Sequence, residues 1–427
     1  GHLPPCRRPA SRAAAAAHRP VRPSRPLSTM SADRTTGGGH GDEPARLVLP
    51  HEDAERWASI VAVLRRPLTR LDELDAVLTE FAAGVTDQRS TFFATVPAQS
   101  SFDFEAFWLH GVPFLLAVAL DLPTLFPRAA DGSPYVLPLL LRQQPAAAAG
   151  GAAVAPPLAR TVVTLTRRQV ACLLAHSVLG SITADARRVR KEKWAFRAAQ
   201  LFFLDARPSA LCVLTYFTRL GRGGVPAGDV TYERIGFARA APPWSWTDDA
   251  RPLCAVAFDE RGRIERSSCT HHADFANRFV GGGCLENDFN MEEILFAVKP
   301  ELIVAMALCS YMHDEESVRV RGALQYCQYS GYASTFAYAG EFDGHGDASS
   351  QPPAVVCAMD ALQGAKMIQF GAGLVLRDLN KARVAFDGAT TIATGNWGCG
   401  AFGNDHQLKF VQQWLGGGGG GGGGYLE

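Results

Sequence analysis

The chain has 427 residues, 47% of them hydrophobic and 20% charged, and its 42 basic and 42 acidic side chains cancel to a formal net charge of zero. That composition is ordinary for a soluble globular protein of two to three domains, and the absence of net charge excludes a global field that would recruit a polyanion, so any grip on a phosphate-rich ligand must be local. The ten cysteines form no CxxC pair or zinc-ligand spacing, and Cys172, Cys212, Cys309 and Cys357 sit in apolar runs, which favours a reducing compartment. The apolar run Val112–Leu120 falls well short of the roughly 18–20 residues a membrane span needs.

Residues 1–50 read as a disordered or targeting-like segment. Residues 1–32 contain no acid and are rich in Arg, Pro, Ala and Ser, like an organelle transit peptide. The chain begins with Gly1, however, and Met30 is the only methionine before Met291, so a start at Met30 would leave residues 1–29 untranslated. The expected compartment is the nucleus or cytoplasm, or an organelle if that prefix is translated. From His51 to Leu220 a helical pattern dominates: Arg56–Phe81, interrupted near Pro67, and Val163–Leu179 place apolar residues three and four apart, with Ala146–Pro157 as a loop between them. Residues 51–220 are therefore read as a helical accessory domain, with Phe104, Phe107, Trp108 and Trp194 in its core. Arg187–Lys193 is a solvated basic face rather than a polymer-binding patch.

Beyond Gly221, short strand-like runs (Leu253–Phe258, Val318–Val320, Val355–Met359, Thr390–Ala393) alternate with helical stretches such as Met367–Ala385, the signature of an α/β layer fold over residues 221–415. Two glycine-rich motifs stand out. In the first, Gly281-Gly282-Gly283 is followed, after seven intervening residues, by Met291-Glu292-Glu293 at a helix start. Three glycines let backbone pass close to a ligand, and a carboxyl group beside them suits acid/base work. Adjacent glutamates diverge by about 100° on a helix, so only one can face a scissile bond. In the second, Gly395-Asn396-Trp397-Gly398-Cys399-Gly400-Ala401-Phe402-Gly403 lies between a strand and a helix capped by Asn404 or Asp405, where N–H groups and a helix N-terminus would meet a diphosphate. The bland readings are a structural glycine turn and a glutamate pair complementing a helix dipole. His271 and His272, without other ligands at convincing spacing, read as surface loop residues.

With these residues in view, the chain resembles the poly(ADP-ribose) glycohydrolases. The resemblance is carried by Asp274–Gly283, Glu292-Glu293, Pro300–Ile303, Ser330-Gly331-Tyr332-Ala333, Val355–Ala361, Arg377–Ala382 and Ala393–Gly403, with Leu165–Val170 upstream, and covers roughly residues 100–415. It implies a macrodomain-like mixed sheet flanked by helices and preceded by the helical domain, an α/β (α+β) fold. It implies hydrolysis of ribose–ribose O-glycosidic bonds in poly(ADP-ribose) or ADP-ribosylated proteins, by a monomer that needs no metal or cofactor, nucleic acid or membrane. Glu293 would be the catalytic acid/base, its acid form populated mainly once the anionic substrate is bound. Glu292 would grip the ribose, and Asp274 and Asn277, one helical turn apart if this stretch is helical, would brace the loop and ribose. Gly281–Gly283 and Gly395–Phe402 would line the ligand and Tyr332 would pack against it, while Asp360, Asn380 and Lys381 would be structural.

The family pattern is broken in three places. Met291 stands where a glutamine is usual, and Cys284–Asn290 lacks the usual small residues and brings Glu286 and Asp288 near an anionic substrate. After Leu415 the expected further strand and its adenine-stacking aromatic give way to glycines 416–424, so residues 416–427 read as a flexible tail or a truncated gene model with an exposed sheet edge. A catalytically impaired ADP-ribose-binding module is the alternative. An unrelated dinucleotide oxidoreductase is disfavoured, because no strand–GxGxxG–helix unit with a downstream acid is present.

Overall fold

The computed structural model of the chain describes residues 49–82, 88–97, 101–133, 135, 137, 139–140, 158–182, 198–203, 207–237, 246–247, 251–259, 262–286, 289–309, 311–344, 353–364, 366–418 and 425–426. The segment 146–157, the basic run 187–193, Trp194 and Asp288 lie outside the described residues.

In the first half, Asp53 accepts the Arg56 N–H to cap α1 (Ala54–Leu64), and the stretch containing Pro67 separates it from α2 (Glu73–Ala82). The apolar run Val112–Leu120 forms α3. The helical reading from Val163 is corrected at its start. Leu158–Thr166 is a strand, β1, and helix α4 (Arg167–Leu179) begins only where Thr166 and Gln169 form a reciprocal capping box. α4 ends at Gly180, whose φ of +76° is left-handed. Eleven of its 13 residues are buried, so it is a core helix enclosed on nearly every side. α5 (Arg207–Gly223) follows and leads into β2 (Asp229–Phe237).

The remaining strands are β3 (Ala255–Val256), β4 (His271–Asp274), β5 (Glu316–Arg321), β6 (Cys327–Ser330), β7 (Ala337–Glu341), β8 (Val355–Ala358), β9 (Thr391–Ala393) and β10 (Tyr425–Leu426). Eight make one mixed sheet in the order β1-β2-β5-β8-β4-β9-β10-β3, while β6 and β7 form a separate hairpin. The pairs from β1 to β8 are antiparallel, and those from β8 through β3 are parallel. The antiparallel edge thus begins with β1, from the half expected to be wholly helical, so a cut near residue 220 would separate β1 from its partner β2. Three more helices complete the frame: α6 (Met291–Val298), α7 (Ala372–Ala385) and α8 (His406–Gly417).

Two further expectations are corrected. The sheet does not stop at β9: α8 runs into the first two glycines of the tract, and Tyr425–Leu426 pairs in parallel with both β9 and β3. His271 and His272 are buried in the central strand β4, where burial holds both imidazoles neutral with pKa values lowered to about 4.

A buried ion pair ties α4 to the sheet side. Arg167 donates both bonds of one Nη to Glu301, at 2.6 and 2.7 Å, and donates to the Gly322 carbonyl. Glu301 also accepts the Leu324 N–H and the Tyr326 hydroxyl. Every lone-pair direction of this carboxylate is thereby used, the condition under which a buried pair is tolerated.

Candidate active site

The parallel strands β8, β4 and β9 end on the same side at Ala358, Asp274 and Ala393, and the segments leaving them carry the singled-out motifs. Ligands of open α/β sheets gather at this end of the strands. The second glycine motif reaches the segment leaving β4: a Cβ on Gly395 would stand 3.7 Å from the Phe275 ring, which follows Asp274 directly.

Phe275–Asn277 leaves β4 as non-helical chain, so Asp274 and Asn277 are not one helical turn apart, yet Asn277 braces the approach to the glycines, its Oδ1 accepting the Phe279 N–H at 3.1 Å. Glu292 reinforces it. Its Oε2 accepts the Asn277 N–H at 2.7 Å and its Oε1 accepts the Gly281 N–H at 2.6 Å, so each oxygen is anchored to main chain by one bond. Glu293 is 6% exposed, and its Oε1 accepts the Gly283 N–H at 3.1 Å. The two side chains diverge as helix geometry requires, but both end under the same loop because the loop wraps over the first turn of α6. Gly282 makes the wrap possible. Its φ is +49°, and a Cβ there would run into Glu293 Oε1 and lie 2.8 Å from Glu292 Oε2. Met291, at the position expected to lack a useful polar group, accepts the Phe275 N–H on its thioether sulfur at 3.4 Å.

Asp274 is fully buried, and neither of its carboxyl oxygens has a hydrogen-bond partner among the described residues. Burial and the neighbouring Glu293 push its pKa well above the usual carboxylate range, so it holds a proton where surface carboxyls do not. Burial, Asp274 and Glu293 also push Glu292 upward, opposed by its two N–H bonds. Three carboxyl groups in one desolvated pocket cannot all be ionised, and the division of labour follows from their partners. Glu292 carries the donors that favour an anion, Asp274 the environment that favours an acid, and Glu293 stands between them at the loop.

Tyr332 is 56% exposed at the tip of the β6–β7 hairpin. Ala333 beside it has a left-handed φ of +48°, rare without glycine, and donates its N–H to Phe289 of the loop ahead of α6. The tyrosine turn is thus anchored to the carboxylate loop while its ring stays open to solvent.

In the second motif Gly395, Asn396, Gly400 and Ala401 are exposed, whereas Gly398, Cys399 and Phe402 are half-buried. The side chain of Trp397 is corrected from a ligand contact to a structural one: it is fully buried, donates its indole N–H to Met359 O at 2.9 Å, and lies under the ammonium of Lys409, 4.3 Å from the ring centroid. Asp405, not Asn404, caps α8 by accepting the Leu408 N–H; Asn404 instead donates to the carbonyls of Leu362 and Gly398. Gly398, Gly400 and Gly403 stand in G-x-G-x-x-G spacing between β9 and α8, a phosphate-loop pattern, but the acid usual about 20 residues on is replaced by the glycine tract. Next to Thr394 a cavity of about 400 Å³ is lined by Arg263, Ile264, Arg266, Ser267 and Ser268, residues that no sequence motif pointed to. Its size suits part of a nucleotide.

A mixed sheet with two glycine loops and buried carboxyl groups over the ends of its parallel strands defines a macrodomain-type cleft beside a helical domain. The poly(ADP-ribose) glycohydrolase macro-domain-fold model matches residues 243–418, and the helical-domain model of the same family matches residues 100–234, together more than half of the chain. The chain belongs to the poly(ADP-ribose) glycohydrolase family. It is 29% identical over 261 residues to probable poly(ADP-ribose) glycohydrolase 2 of Arabidopsis thaliana, covering 48% of this chain and 49% of the relative. It is 28% identical over 339 residues to poly(ADP-ribose) glycohydrolase 1 of the same plant, covering 60% and 61%. Against poly(ADP-ribose) glycohydrolase 1 of Caenorhabditis elegans it is 30% identical over 222 residues, covering 47% and 28%. The chain therefore spans less than two thirds of the length of these curated relatives.

Proposed function

We propose that the chain hydrolyses the ribose–ribose O-glycosidic bonds of poly(ADP-ribose), free or attached to proteins, and releases ADP-ribose. The observation that carries the reading is Glu293, buried and held by the Gly283 N–H under the first glycine loop at the carboxyl end of the parallel strands. Protonated Glu293 gives its proton to the bridging oxygen as the bond from that oxygen to the anomeric carbon breaks, leaving an oxocarbenium-like centre. The Glu293 carboxylate then takes a proton from water as the water oxygen bonds to that carbon, which restores the acid. Glu292 keeps the loop wrapped over the acid, and Asp274 holds a neutral carboxyl group against it. The glycine-rich Gly395–Gly403 loop and the N-terminus of α8 receive the diphosphate, and Tyr332 lies against the nucleotide.

The test is incubation of native protein and Glu293→Gln with labelled poly(ADP-ribose). Release of free ADP-ribose by the native chain, with binding but no release by the variant, supports the reading. Binding without release by either makes the chain a recognition module, and no interaction by either ends both readings.

A further inference from the structure

Beneath the second glycine loop lies a lattice of buried charges drawn from three elements. Arg377 of α7 donates to Asp360 just beyond β8 and to Asp378, at 2.5 and 2.7 Å. Lys381, fully buried, donates to Asp360 at 2.7 Å and to the carbonyls of His313 and Glu316. Lys409 of α8, 1% exposed, is bonded to Asp378. Three cations thus face two carboxylates in the buried lattice, an excess of one positive charge; Asp314 also reaches Arg377, but its side chain is 65% exposed and water screens it. The excess is felt at the loop. Lys409 lies over Trp397, and at Cys399 in the middle of the loop, where burial raises the thiol pKa, the charge of Lys409 pulls it down while Asp405 pushes it up. Burial alone disfavours the Lys409 ammonium, and Asp378 opposes that loss.

We infer that Lys409 is the positioning residue for the diphosphate, seating the glycine loop through Trp397 and placing the uncompensated positive charge of the lattice directly under it. The inference rests on the proposed reading of the cleft as an ADP-ribose site. A charge buried behind a loop interacts more strongly than one in water, and a formally neutral chain has no long-range field to do the same work. Lys409 acts through the loop and touches no reacting atom. Its removal is therefore expected to weaken phosphate-bearing ligands selectively and to leave the chemical step alone.

The experiment compares native protein, Lys409→Met and Lys409→Arg in titrations with ADP-ribose and with adenosine, alongside steady-state hydrolysis of poly(ADP-ribose). Expected for Lys409→Met is a roughly tenfold rise in Kd for ADP-ribose and in KM, with kcat within about threefold and adenosine affinity unchanged, and recovery toward native values in Lys409→Arg. Unchanged ADP-ribose affinity, or equal losses for ADP-ribose and adenosine, overturns the inference while leaving the cleft assignment standing. Failure of native protein to bind ADP-ribose overturns the cleft assignment and the inference with it. Should Lys409→Met not fold, Lys409→Gln, which retains a hydrogen-bond donor for Asp378, makes the same comparison.

Discussion

Substitution of Gly282 by alanine tests the wrap of the loop over the acid most directly. The backbone there has a φ of +49°, which costs an L-residue about 1–2 kcal/mol. The added methyl collides with Glu293 Oε1 and lies 2.8 Å from Glu292 Oε2. Glu292 cannot yield, since two backbone N–H groups hold it at 2.6 and 2.7 Å, so Glu293 rotates away and gives up its bond to the Gly283 N–H. A bond to a charged group contributes about 1.5–3 kcal/mol, so the variant is expected to be several kcal/mol less stable. Its kcat is expected to fall by about 10²–10⁴, the worth of a positioned general acid. Gly281→Ala is the control. It also requires a left-handed alanine (φ +91°), but its methyl meets the Met306 side chain at 2.8–2.9 Å and the Phe296 ring at 3.2 Å, and neither glutamate is among its nearest neighbours. It is expected to lose stability comparably and to keep kcat within about tenfold. Polymer hydrolysis rates and melting curves of both variants decide the matter. A Gly282→Ala protein that turns over within about threefold of native, or two variants with equal rate losses, would show that the loop does not position Glu293.

Asp274→Asn separates catalysis from stability. Because the folded pKa of Asp274 is raised, the stability it contributes is fully present below its unfolded value near 3.8 and is lost as pH rises toward the folded value. The asparagine does not titrate, so its melting temperature relative to native is expected to climb steadily from pH 4 upward while hydrolysis falls; a pH-independent gap contradicts the protonated assignment. Tyr332→Ala, with its ring already 56% exposed, is expected to raise KM roughly tenfold, in the range of one lost stacking contact, and to leave the melting temperature nearly unchanged. A large stability loss would place that ring in the core instead.

The site was more legible in the sequence than the frame that builds it. Gly281–Gly283 with Glu292 and Glu293 could be recognised because left-handed backbone and helix-start carboxylates are local properties, and the structure brings them together. Residue roles that depend on distant partners were not legible. Trp397 stands among glycines and reads as a ligand contact, yet its ring turns inward onto Lys409, a partner 12 positions away on the next helix. His271 and His272 look like loop residues because paired imidazoles are polar, but a strand covered on both faces accepts them in neutral form. In sequence β1 runs into α4 because Val162, Val163 and Leu165 continue straight into the helical pattern; the alternation of buried and exposed positions and the Thr166–Gln169 box mark the true switch. That Glu292 clamps its own loop shows only in the two N–H bonds from Asn277 and Gly281.

The two-residue strand β10 has an influence out of proportion to its length. Because the order runs β9-β10-β3, Tyr425–Leu426 is the ladder through which Ala255–Val256 joins the sheet, and the chain leaving that strand leads to Arg263, Ile264 and Arg266 in the cavity wall. Peeling off this closing stave frees one wall of the cavity beside Thr394, whose lining does not include Glu293. The wall of this cavity and the carboxyl cluster under the Gly281–Gly283 loop are in this way mounted on separate supports, one of them only two residues deep.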